Sequence, residues 1–137
     1  MYQIDRYLAV RYKSGGREYP LLDCWGLVLA FYRDELGIIL PLEEAICDSA
    51  SAYIGETDVK SKISYIEKEE CLPDNKPYIV CFYNQKRLFH CGILLNNHVL
   101  HTRRNGTVFQ KISSVKKQYR LWELRYYEVT GKSSPSP

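Results

Sequence analysis

Apolar residues along this chain change their period near its middle, and that change predicts the architecture. Leu27, Val28, Phe31, Tyr32 and Leu36 recur at helical spacing and stop at Gly37, while Asp23 is placed to cap the start. The first half of this helix is apolar almost all round, which predicts a place at the centre of the fold. Ahead of it, Ile4, Leu8 and Arg11 share a helical spacing, so a short helix is expected over 1–11, broken into a loop at Gly15-Gly16. From Pro41 to Asn75 the pattern stays helical, with Glu43-Glu44-Ala45-Ile46 and Val59 through Glu70 as candidates. The second half reads as strands: Tyr78–Tyr83, Leu88–Leu95, His98–Arg103, Thr107–Ile112 and Leu121–Val129 are β-branched or aromatic runs. Asn96-Asn97 and Asn105-Gly106 supply tight-turn signals between them. Helices followed by strands predict an α+β fold, with N-terminal helices packed on a C-terminal antiparallel β-meander. There is no internal repeat; a single domain is expected over 1–130, with the Ser- and Pro-rich 131–137 as a flexible tail.

The hairpin geometry sorts the histidines. If Asn96-Asn97 is a two-residue turn, Leu95 faces His98, Gly92 faces His101 and His90 faces Arg103. His90 and His101 then share one face as diagonal neighbours, and His98 falls on the other. Gly92 would leave room for the His101 ring. A three-residue loop would reverse this parity.

Composition narrows the function classes. With 45% apolar and 26% charged residues, the 137-residue chain suits a globular domain with a real core. No apolar run approaches a membrane span, and Met1-Tyr2-Gln3-Ile4-Asp5-Arg6 lacks the basic start and apolar stretch of an export leader. A formal charge of +3 is too small to imply nucleic acid. The stretch Arg103–Arg125, with Lys111, Lys116, Lys117 and Arg120, is locally basic; it suits an anionic partner such as cell-wall polymer, or is an ordinary solvated face. Five cysteines, Cys24, Cys47, Cys71, Cys81 and Cys91, form no CxxC pair and no even framework, which favours a reducing compartment.

Cys24 stands out among them. It sits between a turn-rich loop and the first turn of an apolar helix, where backbone N–H groups and the helix dipole stabilise a thiolate. With His90 and His101 downstream, the residue types suffice for a Cys-His nucleophilic site: Cys24 attacks, His90 is base and acid, and His101 orients His90. A lone cysteine before a helix is ordinarily structural, and the surrounding motifs argue against that here. Zinc is the rival chemistry, with Cys24, His90, Cys91 and His101 as possible ligands; Cys91 should point away from His90, and the spacings match no usual zinc pattern. No metal or cofactor is expected.

Tyr12-Lys13-Ser14-Gly15-Gly16, Asp23-Cys24-Trp25-Gly26-Leu27-Val28, His90-Cys91-Gly92-Ile93-Leu94 and His101, in that order, resemble the NlpC/P60 family of papain-like cysteine peptidases over about residues 5 to 103. The run Tyr32-Arg33-Asp34-Glu35-Leu36-Gly37-Ile38 with Leu40-Pro41 is most similar to the branch found in tail-assembly proteins of long-tailed phages, the lambda K protein type. The resemblance implies a papain-like fold and a peptidase or amidase cutting after γ-D-glutamate in peptidoglycan stem peptides. It implies that Tyr12 points its hydroxyl at the oxyanion and that Asp23, with the residue after the cysteine, helps bind the stem. Two departures stand out: Trp25 replaces the usual Ser, which narrows the expected cleft, and Pro77-Tyr78-Ile79 replaces a Gly-Asp pair. The expected setting is a protein made in the bacterial cytoplasm without a signal peptide and carried by a phage or prophage tail to the target wall. Its partners would be the peptidoglycan stem peptide and other tail proteins, with no nucleic acid or membrane; the sequence does not distinguish a protein working alone from one attached to a metal-dependent isopeptidase-like partner. The alternatives are an inactive structural tail module of the same fold, and an amidase toxin or acyltransferase using the same site.

Overall fold

The computed structural model describes residues 2–40, 63–66, 76–85 and 87–129. Cys47, Cys71, the helix expected at Glu43–Ile46 and the tail at 131–137 lie outside them. The chain opens with a short helix α1 (Ile4–Leu8), then three two-residue strands, β1 (Arg11–Tyr12), β2 (Arg17–Glu18) and β3 (Leu21–Leu22). The expected first helix therefore ends early: Arg11 pairs with Leu21 and Tyr12 with Leu22, so strand pairing takes the last residues of the helical pattern. That pairing sets Tyr12 beside the residues that enter the central helix α2 (Cys24–Leu36).

Asp23 caps α2, its side chain accepting from the Gly26 N–H at 2.7 Å. At the far end Gly37 N–H donates to the Arg33 carbonyl and Ile38 N–H to the Tyr32 carbonyl, closing the helix as the sequence suggests. Every residue from Cys24 to Tyr32 is buried. At about 1.5–3 kcal/mol for each large apolar side chain buried, packing of Leu27, Val28 and Phe31 rather than helix propensity holds α2 in place.

The remaining strands are β4 (Ile63–Ile66), β5 (Tyr78–Asn84), β6 (Arg87–Leu95), β7 (His98–Arg103), β8 (Gly106–Lys111) and β9 (Glu123–Val129), with helix α3 (Ile112–Gln118) before β9. They form a six-stranded sheet in the order β4-β9-β5-β6-β7-β8. β5 to β8 make the expected meander, while β9 returns beside β5 and β4 pairs outside it, in antiparallel register. Ile63–Ile66 is thus a strand where a helical segment was expected, its pairing with β9 overriding a local pattern that fits either period.

Alternate residues divide the sheet. Ile79, Cys81, Cys91, Ile93, Leu95 and Leu100 join α2 in one core; Tyr78, Val80, Phe82, Leu94, Val99 and Tyr126 join Val115 and Tyr119 in a second. The sheet is thus buried on both faces, which is why β5 reads as an unbroken apolar run. Helix α3, which backs the second core, is absent from the sequence reading. Only Val115 and Tyr119, one turn apart, are buried from this segment, too short a period to register.

Candidate active site

The cysteine is positioned by the loop before it. The Asp23 carboxylate accepts from the N–H groups of Gly26 at 2.7 Å and Gly15 at 3.0 Å, and from Arg17 Nη1 at 2.7 Å. Arg17 Nη1 also donates to the Gly16 carbonyl at 2.8 Å, so one buried carboxylate ties the Gly15-Gly16 loop to the first turn of α2. Gly26 permits this: a Cβ there would stand 2.3 Å from the Gly16 carbonyl oxygen. Asp23 is 2% exposed and its carboxylate is committed to these partners, and Trp25 is wholly buried. Neither expected stem-binding residue lines the cleft, and Trp25 does not narrow it, because the start of α2 turns both side chains inward.

The cleft itself has a volume of about 550 Å³, and Tyr12, Cys24 and His90 line it together. Phe89, Tyr119 and Trp122 add aromatic surface, and Arg103 and Arg104 add positive charge. Phe89 owes its place to a β-bulge: Phe82 pairs with His90 and Tyr83 with Leu88, leaving Phe89 as the extra residue of β6.

The histidines follow the expected register. Leu95 pairs with His98, and Asn96 and Asn97 both have positive φ, as a two-residue turn requires. His90 Nε2 and His101 Nδ1 lie 2.8 Å apart, while His98 stacks on Phe109 with ring centres 4.9 Å apart. A Cβ on Gly92 would meet the Leu100 carbonyl oxygen at 2.7 Å and His101 Cβ at 2.8 Å, so only glycine lets β7 come this close. His90 and His101 sit on the second-core face, packed against Phe82 and Tyr119; Cys24 belongs to the first core. The cleft joins the two layers.

Electrostatics keep both rings neutral. Burial, then His101 and Arg103, hold His90 well below the ordinary imidazole range; burial and Arg103 lower His101, against the opposing hydrogen bond that His101 makes to the Gln110 amide oxygen. Cys24, expected as a free thiol, is disulfide-bonded in this structure, whereas Cys81 and Cys91 are free and buried. Burial pushes both free thiols far above the ordinary range, as spectators should be. Among the described residues no three His, Cys, Asp or Glu side chains converge as a metal site.

Sequence reasoning passed over Gln110 and Tyr119, and took Arg103 and Arg104 only as the start of a basic stretch. Gln110 had a signal: it lies on the strand after His101 with the parity that puts both on one face. His101 Nε2 and Gln110 Oε1 are 2.7 Å apart. Arg103 donates to the Tyr119 hydroxyl and lies over its ring, a contact across chain segments with no local pattern.

The profile of the NlpC/P60 family matches residues 9–130. The chain belongs to the NlpC/P60 family. The fold is also similar to the crystal structure of the NlpC/p60 domain of the peptidoglycan hydrolase SagA, with a TM-score of 0.58 and 14% identity, covering 93% of this chain and 92% of that one. A comparison with curated proteins finds no match. The expected α+β, papain-like NlpC/P60 fold is therefore established.

Proposed function

We propose that this NlpC/P60 domain is a cysteine hydrolase of peptidoglycan stem peptides, cutting the amide bond after γ-D-glutamate. The observation that carries the proposal is the meeting of Tyr12, Cys24 and His90 in one cleft, with His101 bonded to His90 from behind. The family assignment and the fold shared with a peptidoglycan hydrolase support it. The cleft's arginines suit a substrate that carries carboxylates, and among the described residues no acid lines it.

Catalysis needs the reduced cysteine. Because His90 Nε2 is engaged by His101, Nδ1 is the nitrogen left to take the Cys24 proton. The thiolate attacks the scissile carbonyl carbon, and the oxyanion is met by the Tyr12 hydroxyl and the Cys24 N–H at the start of α2. Collapse breaks the C–N bond as His90 returns the proton to the leaving amine. Water, deprotonated by His90, then releases the thioester as a carboxylate and restores the thiol. On sequence resemblance through Tyr32–Ile38, the proposal places the domain in a phage or prophage tail, beside other tail proteins.

The test is a digest of purified peptidoglycan with reduced wild type, Cys24→Ala and His98→Ala, followed by mass spectrometry. Products ending in γ-D-glutamate should appear with wild type and His98→Ala and be absent with Cys24→Ala. A folded, reduced protein that releases nothing from any wall chemotype would favour a structural tail module.

A further inference from the structure

The His90–His101 pair does not by itself decide whether the His90 nitrogen left for the cysteine, Nδ1, carries a proton. Two arrangements satisfy the 2.8 Å contact. In one, His90 Nε2–H donates to His101 Nδ1, and His90 Nδ1 keeps its lone pair for the thiol. In the other, His101 Nδ1–H donates to His90 Nε2, and the proton on His90 Nδ1 blocks the base. The choice passes to the other end of His101. There Nε2 meets Gln110 Oε1 at 2.7 Å, while Gln110 Nε2 donates to Gln118 Oε1 at 3.3 Å. The amide presents its oxygen to His101, so it accepts from His101 Nε2–H and leaves His101 Nδ1 as an acceptor.

We propose that Gln110 is a positioning residue that sets the tautomer of the His90–His101 pair, keeping His90 Nδ1 unprotonated and open to Cys24. This rests on the hydrolase reading above. It extends the nucleophile, base and orienter by a fourth member on β8, whose amide is anchored by the end of α3. Gln110 acts through His101 and touches no substrate. Its neutrality also matters: a carboxylate in its place would favour a charged imidazole pair, whereas the amide fixes direction without adding charge.

Long-range ¹H–¹⁵N spectra of the reduced, ¹⁵N-labelled protein test this without requiring turnover. His90 and His101 should both carry their proton on Nε2 in the wild type. Gln110→Leu, similar in size but with no acceptor, should bring in the Nδ1–H form of His101. It should also lower kcat roughly 10- to 100-fold, the range for groups that orient a functional imidazole, with little change in KM. Gln110→Glu, which accepts only, should keep the Nε2–H form, retain most of kcat and move the acid limb of the pH–rate profile upward. A wild-type His101 protonated on Nδ1, or a Gln110→Leu variant with unaltered tautomers and rate, overturns the inference. If the wild type cleaves no peptidoglycan, the hydrolase reading fails and the spectra still decide the tautomer. If Gln110→Leu does not fold, the wild-type spectrum and Gln110→Glu decide it.

Discussion

Replacing Gly92 with alanine should damage stability and catalysis together, through one displacement. The new methyl group would lie 2.7 Å from the Leu100 carbonyl oxygen and 2.8 Å from His101 Cβ, and ordinary contact begins at 3.4 Å. Neither neighbour is the far end of a flexible side chain, so β7 must move away from β6 by about 0.6–0.7 Å. The same shift stretches the 2.8 Å contact between His90 and His101 to about 3.4 Å, beyond a good hydrogen bond. Overpacking of this kind costs about 1–3 kcal/mol, and weakening a buried hydrogen bond adds about 1 kcal/mol. For a domain of this size the sum lowers Tm by roughly 6–15 °C. Thermal unfolding followed by circular dichroism reads the first effect, and peptidoglycan turnover below the transition reads the second, expected at roughly a tenfold loss or more. A Gly92→Ala protein whose Tm lies within 2 °C of wild type and whose rate is unchanged would refute the close approach of β6 and β7, and with it the reason for a glycine there.

Three further outcomes follow from the same geometry. Asp23→Ala removes the helix cap and the buried carboxylate that Gly15, Gly26 and Arg17 share, so urea unfolding should show a loss of about 3–5 kcal/mol; an unchanged midpoint would contradict the clamp. Without reductant the protein should be inactive and Cys24 unlabelled. After reduction, limiting iodoacetamide at mildly acidic pH should modify Cys24 well before Cys81 or Cys91, and equal labelling by peptide mapping would sink the nucleophile assignment. Because His90 and His101 have depressed proton affinity when folded, the stability they contribute is present above about pH 6.5 and is lost as pH falls. The loss is at most about 1.4 kcal/mol per pH unit for each ring, and urea midpoints at pH 7 and 5 should differ less in His90→Asn than in wild type.

Much of the site could be read from the sequence because its parts obey local rules. Asp23, Cys24 and Gly37 mark a helix by capping chemistry, and the parity around Asn96-Asn97 separates His98 from His90 and His101 before any coordinate is known. Residues whose roles arise from distant contacts were beyond that reach. Trp25 looks like a pocket residue by its place next to the cysteine, but the inward turn of α2 sends it into the core. Helix α3 offers too few buried positions to announce itself, so Gln118 and Tyr119 could not be placed behind the histidines. Strand β4 is specified by its partner β9 rather than by its own four residues. The disulfide at Cys24 was equally invisible in an odd cysteine count.

The division of the sheet into two buried faces has a consequence for how this protein would lose activity. The nucleophile is carried by the layer containing α2, and the base by the layer containing Phe82 and Tyr119. Loosening of α2 on one face, or of the Tyr119 segment that packs the histidines on the other, would disturb their meeting without unpairing β5 and β6. Inactivation should therefore track the weaker of two cooperative units rather than the global transition. On mild heating, turnover would fade while amide protons in β5 and β6, covered on both sides, still resist exchange.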